Sequence, residues 1–268
     1  MSRNQVSLDT ICASLTYALG IEAPEHAAAP SKDLCEYIDK SFGGEKADRI
    51  FMYNPDAVAQ WLVEKYPDVM FYDLEKYFDL ELPLTTVLPS DTPVCFGTMY
   101  TGAQPAVHGI IKYSKPVIKI DTLFDALIRA GRKPAIVAYA ECSLGMIYRE
   151  RDMDYFVCDT VDEANAVAMN LVIRNEHDFI LVYNGNFDST MHKKGIETPV
   201  SLGEIRANVR TFAIFSELID KYWAGNNTLV GFAMDHGCYH KGEIGSHGRD
   251  LDEAMNITHF YKAYPKKA

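Results

Sequence analysis

The feature that most constrains the fold is a repeated alternation of short, continuously apolar segments with longer segments whose apolar residues recur at helical spacing. The apolar segments predict strands at 49–53, 68–72, 117–120, 135–139, 155–158, 179–183 and 228–234, and the periodic segments predict helices at 8–19, 57–65, 94–100, 123–130, 161–174 and 202–223. Strands that are apolar on both faces are typical of a parallel sheet with helices on each side. We therefore expect an α/β fold in which a mostly parallel central sheet is covered on both faces.

The length and composition limit the class of protein. A chain of 268 residues is long enough for one large α/β domain, or for a domain with a small appendage. Its hydrophobic content of 48% and charged content of 24% are those of an ordinary globular protein, which excludes a disordered chain. No apolar run is long enough to cross a bilayer, and the first residues lack the pattern of a secretory signal. These observations predict a cytoplasmic protein without a membrane partner.

Charge and cysteine content exclude two further classes. The formal net charge of −11 repels polyanions, so we expect no nucleic-acid-binding surface. The six cysteines are dispersed without a CxxC pair, which argues against a disulfide framework and against a cysteine-rich zinc module. An acidic protein can still bind a small phosphate if cations inside the site reverse the local field. The sequence gives no indication of the oligomeric state.

Potential metal ligands follow three of the predicted strands. Strand 49–53 is followed by Asn54 and Asp56, strand 179–183 leads to Asp188, and strand 228–234 is followed by Asp235 and His236. In open α/β sheets, ligands bind off the carboxyl ends of the strands. The three segments are therefore expected to deliver their side chains to the same edge of the sheet.

The segment FDSTMHKKG places Asp188 and His192 one helical turn apart. Side chains at positions i and i+4 project from one face of a helix and can bind one ion together. The alternative is that Asp188 caps a helix and that His192 is a solvated surface residue. A third imidazole, that of His247, lies between Ser246 and Gly248 in a glycine-rich loop.

Another segment, LPSDTPVCFG, contains a candidate nucleophile. Thr92 precedes a proline at a predicted first helical position, so its hydroxyl would lie at a helix N-terminus, where backbone N–H groups face an anion. A threonine hydroxyl is a weak nucleophile unless a divalent cation stabilises its alkoxide. The alternative is that Asp91 and Thr92 are only capping residues.

Taken in order along the chain, these motifs resemble those of the alkaline phosphatase superfamily, and most closely those of its nucleotide pyrophosphatase/phosphodiesterase branch. The motifs are Thr92 with the following TG and HGI, DSTMHKKG from Asp188, DHG from Asp235 and GSHG around His247, and the match covers roughly residues 47–264. The resemblance implies an α/β/α sandwich of three layers, two metal ions, commonly zinc, and a threonine or serine nucleophile. It also implies that Asp188, His192 and His247 bind one ion, and that Asp235, His236 and the Thr92 hydroxyl bind the other.

Two positions depart from the family pattern. Family members usually present an aspartate at the end of the first strand as a ligand of the second ion, whereas this chain has Asn54 there and Asp56 two residues later. We favour Asn54 as the ligand, with Asp56 as its substitute; because an amide oxygen brings no charge, Mn²⁺ or Mg²⁺ could replace zinc at that site. The branch also has an asparagine that binds phosphate oxygen three residues after the nucleophile. In this chain the substrate-binding position is occupied by Cys95.

The resemblance divides the chain into an N-terminal helical extension, 1–46, packed on the core, and a hydrolase domain, 47–268. It predicts hydrolysis of a small phosphate mono- or diester through a phosphothreonine intermediate. One alternative is a phosphomutase of the same superfamily, although the stretch between Thr92 and Asp188 leaves no room for the large extra domain that mutases carry. Another is an inactive relative that binds metal, in which Asn54 and Cys95 mark lost catalysis.

Overall fold

The computed structural model describes residues 2–267. Its strands are β1 (Val6–Ser7), β2 (Arg49–Pro55), β3 (Leu80–Thr85), β4 (Pro134–Tyr139), β5 (Asp154–Cys158), β6 (Phe179–Asn184), β7 (Thr228–Phe232), β8 (Tyr239–Lys241), β9 (Ile244–Ser246) and β10 (Asn256–Tyr264). Its helices are α1 (Thr10–Leu19), α2 (Lys32–Ser41), α3 (Gln60–Lys65), α4 (Pro67–Leu74), α5 (Thr92–Thr101), α6 (Pro105–His108), α7 (Leu123–Arg129), α8 (Ser143–Ile147), α9 (Val161–Arg174), α10 (Asn186–Lys194), α11 (Pro199–Tyr222) and α12 (Asp252–Met255).

Eight of the described strands form one central sheet in the order β1-β3-β10-β7-β2-β6-β4-β5. β10 is antiparallel to both of its neighbours, and every other pair is parallel. β2 occupies the middle of the parallel part, where Met52 lies opposite Leu181 of β6 and Gly231 of β7. The expectation of an α/β fold with a mostly parallel central sheet is confirmed.

Burial explains why the central strands are continuously apolar. Every residue of β6 and of β7 is buried, as expected for strands covered on both faces. On one face α11 packs against the sheet, with the rings of Phe51 and Phe215 centred 4.7 Å apart. Helix α9 begins at the N-cap Thr160, which accepts a hydrogen bond from the Glu163 N–H, and ends at Asn175 in the left-handed conformation. Local capping signals thus fix the ends of the covering helices.

The N-terminal segment is joined to this core through its first strand and helix. β1 pairs in parallel with β3, and α1 packs on α5. Ile11, Cys12 and Leu15 of α1 are fully buried in the same apolar cluster as the central strands. The boundary between residues 46 and 47 stays a prediction.

Two of the predicted strands are wrong. Residues 68–72 lie within helix α4, which begins at Pro67. A short apolar run that follows a proline is compatible with a strand or with a helix. Here the packing of this segment on α11 favours the helix. Residues 117–120 form no strand; the Ile118 N–H donates only to the Ile147 carbonyl, outside the sheet. No helix within residues 2–267 combines the length and the apolar character needed to span a bilayer.

Candidate active site

The carboxyl ends of three neighbouring strands carry the predicted site residues. β7, β2 and β6 are adjacent in the sheet and parallel, so the chain segments that follow them emerge at one edge. Asp235 follows β7, Asp56 follows β2, and Asp188 lies in the first turn of α10, directly after β6. The sheet order therefore brings together three carboxylates that are far apart in sequence.

One group of metal-type ligands consists of Asp188, His192 and His247. The Nε2 atoms of His192 and His247 lie 3.1 Å and 3.5 Å from Oδ1 of Asp188. The Nδ1 atom of His192 is 3.0 Å from the Gly245 carbonyl, and that of His247 is 3.0 Å from the Ser90 carbonyl. The Nδ1 atom of each ring therefore faces a carbonyl, and both Nε2 atoms face Oδ1 of Asp188.

A second group consists of Asp56, Asp235 and His236, all of which are buried. Nε2 of His236 lies 3.4 Å from Oδ1 of Asp56 and 3.4 Å from Oδ2 of Asp235. Its Nδ1 is 3.0 Å from the Gly237 carbonyl, which again leaves Nε2 as the free ring nitrogen. The other oxygen of Asp235 accepts hydrogen bonds from the N–H groups of Ala57 and His236, at 3.2 Å and 2.9 Å.

Thr92 lies against the second group. Its Oγ1 is 3.2 Å from Nε2 of His236 and 3.3 Å and 3.4 Å from the two carboxylate oxygens of Asp56. Thr92 is the first residue of α5, so its hydroxyl is at the positive end of the helix. Pro93 has no N–H, and the N–H groups of Val94 and Cys95 bond to the Asp91 carbonyl. The Thr92 N–H is therefore the first-turn amide that α5 can direct at an anion.

Burial and charge strongly perturb the carboxylates. Burial, reinforced by the charge of Asp56, raises the pKa of Asp235 well above its ordinary value. Burial and the charge of Asp188 likewise raise the pKa of Asp56. Burial would also raise the pKa of Asp188, but the adjacent imidazole of His192, 3.1 Å away, and the charge of His247 outweigh it and lower that pKa. The neighbouring Asp188 carboxylate raises the pKa of His192.

These groups fit divalent cations. Oδ2 of Asp235 and Oδ1 of Asp188 are buried and have no hydrogen-bond partner among the described residues. Buried carboxylate oxygens without partners are costly unless a cation compensates their charge. Imidazole nitrogens together with carboxylate oxygens are a ligand set that zinc accepts. The unpaired carboxylate oxygens, together with the imidazole nitrogens that face them, thus point to two candidate cation sites.

The structure corrects the choice between Asn54 and Asp56. The Asn54 side chain donates to the Ala233 carbonyl at 2.6 Å and accepts from the Tyr100 hydroxyl at 2.8 Å, so both ends of its amide are occupied inside the core. Asp56 instead joins the second group, because the chain turns immediately after it at Ala57, whose φ of 63° is left-handed. The turn after β2 thus places Asp56, and not Asn54, beside Asp235 and His236.

The structure also corrects the expectation for Cys95. Its side chain is fully buried, and its Sγ is 3.1 Å from the Thr86 hydroxyl and 4.0 Å from the Val87 carbonyl. Burial raises the pKa of this thiol well above its ordinary value. Cys95 is therefore a neutral core residue that does not face a substrate.

Two further residues contact the candidate ligands, and the sequence patterns did not predict these contacts. The carboxylate of Asp91 lies 3.0 Å from Nδ1 of His247, rather than capping α5. The hydroxyl of Tyr183 donates to Asp56. Gly248 makes the first contact feasible, because its φ is 87° and a Cβ there would lie 2.8 Å from the Asp91 carboxylate. No local pattern links Asp91 with His247, so only the fold shows this pair.

The remaining histidines near the site have other partners. His240 is exposed and pairs with Glu197 at 2.9 Å. His259 is fully buried, with its Nε2 2.7 Å from the Met234 carbonyl, and burial lowers its pKa to about 4. Both lie outside the two groups described above.

Comparison with known proteins establishes the fold. No family model and no curated protein sequence matches the chain. Among solved structures, an inactive variant of murine ectonucleotide pyrophosphatase/phosphodiesterase 5 in complex with AMP has a TM-score of 0.58 at 14% identity, covering 73% of this chain and 59% of that one. Phosphonoacetate hydrolase from Sinorhizobium meliloti 1021, in complex with phosphonoformate, has a TM-score of 0.52 at 18% identity, covering 75% and 60%.

The C-terminal periplasmic domain of a phosphoethanolamine transferase from Campylobacter jejuni is also similar, with a TM-score of 0.56 at 10% identity, covering 81% of this chain and 80% of that domain. All three belong to the alkaline phosphatase superfamily, and the fold of this chain is the alkaline phosphatase-like fold. The resemblance seen in the sequence motifs is therefore confirmed at the level of the fold. The chain spans about three-fifths of the length of the pyrophosphatase/phosphodiesterase and phosphonoacetate hydrolase structures.

Proposed function

We propose that this protein is a metal-dependent hydrolase of small phosphate mono- or diesters that acts through a phosphothreonine intermediate on Thr92. The observation that carries the proposal is the position of the Thr92 hydroxyl, 3.2 Å from Nε2 of His236 and 3.3 Å from Asp56, at the start of helix α5. The similar structures, a phosphodiesterase, a phosphonate hydrolase and a phosphoethanolamine transferase, support phosphoryl transfer as the general class. The cytoplasmic location stays a prediction.

Two groups of residues would hold the metal ions. Asp188, His192 and His247 would bind one ion, while Asp56, Asp235 and His236 would bind the other beside the Thr92 hydroxyl. Two divalent cations held there, zinc by resemblance, with Mn²⁺ or Mg²⁺ as alternatives at the second site, would supply charge that stabilises the threonine alkoxide and the phosphate oxygens.

The chain itself positions the nucleophile. The carboxylate of Asp56 accepts the hydrogen bond of the Thr92 hydroxyl, which fixes the orientation of that hydroxyl. In the first step, Oγ1 gives up its proton and forms a bond to phosphorus, while the bond between phosphorus and the alcohol oxygen breaks. The alcohol leaves with one proton, which balances the proton that Thr92 has lost. In the second step, water cleaves the phosphothreonine bond, releases the phosphoryl product and restores Thr92. The Thr92 N–H is positioned to donate to a phosphate oxygen throughout.

Substitution of Thr92 tests this mechanism. Thr92→Ala should retain its metal ions, measured by elemental analysis, and should lose about 10³-fold or more in turnover of aryl phosphate mono- and diesters. Thr92→Ser keeps a hydroxyl and should retain measurable turnover. Rapid acid quenching of the wild type followed by mass spectrometry should place one phosphoryl group on Thr92. Undiminished hydrolysis by Thr92→Ala would eliminate the mechanism.

The phosphomutase alternative finds no support in the fold. Between Thr92 and Asp188 the described chain forms α6 to α9, β4, β5 and β6, and the three strands belong to the central sheet. This stretch therefore contains no separate domain that could shield a phosphoenzyme from water. Release of phosphate or of a phosphate monoester supports hydrolysis, whereas transfer within one molecule would support a mutase. Metal content without turnover of any ester would instead identify an inactive relative.

A further inference from the structure

The hairpin of β8 and β9 connects the two groups of candidate ligands, because it begins shortly after His236 and ends directly before His247. Its two strands form a small sheet of their own, separate from the central sheet. Each strand has only three residues, and an isolated hairpin of this size is marginal at best in water. Contacts with the surrounding elements must therefore hold the hairpin in place.

Helix α10, which carries two of the candidate ligands, packs closely on β9. The closest approach is at Gly245, where a Cβ would lie 2.5 Å from Sδ of Met191 and 2.7 Å from Cγ1 of Ile196. The Gly245 carbonyl is 3.0 Å from Nδ1 of His192. The position of β9 thus sets the position of the acceptor that faces a candidate metal ligand.

The cross-strand partner of Gly245 is His240 of β8, and this histidine is held by two side chains from outside the hairpin. Nε2 of His240 lies 2.9 Å from Oε2 of Glu197, and its ring is centred 5.7 Å from that of Trp61. The Trp61 ring N–H also donates to the Cys238 carbonyl, directly before β8, at 2.8 Å. A carboxylate and an indole therefore attach β8 to the rest of the fold.

Glu197 is itself fixed by the end of helix α3. Its Oε1 accepts hydrogen bonds from the Lys65 ammonium group and from the Tyr66 hydroxyl. These bonds, that from Lys65 first, lower the pKa of Glu197, so the carboxylate is charged at neutral pH. Because Oε1 is bound by α3 and Oε2 faces His240, the carboxylate joins α3 to the hairpin.

We propose, resting on the function proposed above, that Glu197 is a positioning residue that acts through the hairpin on the group of metal ligands containing His192. Without the carboxylate, His240 loses its polar partner and β8 is free to shift. The Gly245 carbonyl, on the paired strand, then no longer has a fixed position opposite Nδ1 of His192. All ligand atoms remain present, so binding of that ion should weaken and not disappear.

Substitution of Glu197 tests the proposal. Glu197→Ala removes both carboxylate oxygens, whereas Glu197→Gln keeps an oxygen acceptor for His240. We expect the zinc affinity of one site to fall about fivefold in Glu197→Ala and to be largely restored in Glu197→Gln. Competition with a chelator measures these affinities.

A second histidine–carboxylate pair provides a matched control. The carboxylate of Asp154 lies 2.8 Å from Nε2 of His177 at the start of β5, the end of that parallel strand opposite to the candidate site. Asp154→Ala removes a carboxylate from an equivalent pair, so its zinc affinities should stay as in the wild type.

A double variant tests whether the effect passes through the hairpin. If Glu197 acts through His240, then Glu197→Ala/His240→Ala should bind zinc no more weakly than the weaker of the two single variants. Independent contributions would instead multiply the two losses.

The visible absorption of bound Co²⁺ separates positioning from a merely structural role, because it reports the geometry of the metal ligands. The spectrum should change in Glu197→Ala, return towards that of the wild type in Glu197→Gln and stay unchanged in Asp154→Ala. A loss of stability alone would lower the thermal unfolding midpoint and leave the spectrum of the folded, loaded protein as it is.

Wild-type zinc affinity or an unchanged cobalt spectrum in Glu197→Ala would overturn the proposal, as would multiplied losses in the double variant. These measurements need no substrate, so they are independent of the hydrolysis proposed above. Weakened zinc binding in Glu197→Ala, with no turnover of aryl phosphate esters by the wild type, would refute the proposed function and keep the positioning role. Turnover by the wild type with unchanged zinc binding in Glu197→Ala would do the reverse. A wild-type protein that binds no zinc would overturn both.

Discussion

The imidazole rings of His236 and His247 are centred 4.3 Å apart, although each belongs to a different group of metal-type ligands. His236 follows β7, and His247 follows the hairpin formed by β8 and β9. The short hairpin therefore holds one ligand of each proposed ion side by side. A change that moves either ring should alter both sites.

We expect Asp91 to be a positioning residue for His247. Asp91→Ala removes the carboxylate that lies 3.0 Å from Nδ1 of His247, so the affinity for one metal ion should fall about 10- to 100-fold. Asp91→Asn keeps an oxygen acceptor and should lose less. Competition with a chelator measures both affinities. Binding of both ions by Asp91→Ala at wild-type strength would contradict this role.

Substitutions at Asn54 and Asp56 should have opposite effects on stability and on metal content. Asn54→Ala leaves the buried Tyr100 hydroxyl and Ala233 carbonyl without a partner, so the free energy of unfolding should fall by about 1–3 kcal/mol while metal content is kept. Asp56→Asn removes a buried carboxylate whose pKa is raised by burial. Without metal, this variant should therefore be at least as stable as the metal-free wild type at neutral pH. After reloading with metal, it should bind one ion fewer than the wild type.

Urea unfolding in the presence of a chelator measures the free energy of unfolding, and elemental analysis after reloading with zinc measures the metal content. Loss of a metal ion in Asn54→Ala, with its stability unchanged, would show that Asn54 rather than Asp56 is the ligand.

Tyr183 should tune the pKa of Asp56. Tyr183→Phe removes a hydrogen bond to the carboxylate, so the pKa of Asp56 should rise further and metal binding at the second site should require a higher pH. Tyr17→Phe is the matched control, because it also removes a phenol hydroxyl that donates to a carboxylate, that of Asp39, and leaves the bond between Tyr183 and Asp56 in place. The pH dependence of zinc affinity compares the two variants, and identical profiles would contradict the assignment.

Metal should stabilise the protein more at high pH than at low pH. The pKa values of Asp56 and Asp235 are raised on folding, so the folded metal-free protein binds more protons than the unfolded chain, and its stability falls as pH rises above about 4. The raised pKa of His192 acts in the same direction, because its contribution is lost as pH rises through the folded-state value. The lowered pKa of Asp188 acts oppositely, since its contribution is lost as pH falls.

The test compares thermal unfolding midpoints with zinc and with a chelator at pH 5 and pH 8. We expect a larger difference between zinc and chelator at pH 8, because fewer protons then compete with the cation for the buried carboxylates of Asp56 and Asp235. An equal difference at both pH values would show that these carboxylates do not bind the ion.

Local sequence patterns determined the architecture and the general position of the site. Continuously apolar segments such as β2, β6 and β7 can only be buried on both faces, which requires a parallel sheet between helices. The spacing of Asp188 and His192 likewise fixes their proximity, because four residues make one helical turn. These features depend on residues that are close together in the sequence, so the sequence by itself was sufficient to predict them.

Contacts between distant segments were decided only by the tertiary structure. The turn at Ala57, which brings Asp56 rather than Asn54 to Asp235, depends on a hydrogen bond from the Ala57 N–H to a carboxylate that follows another strand. Asp91 and His247 are in contact although they are far apart in the sequence. Periodicity and capping report only on interactions within a few residues, whereas these contacts arise when separate strand ends and loops are packed together.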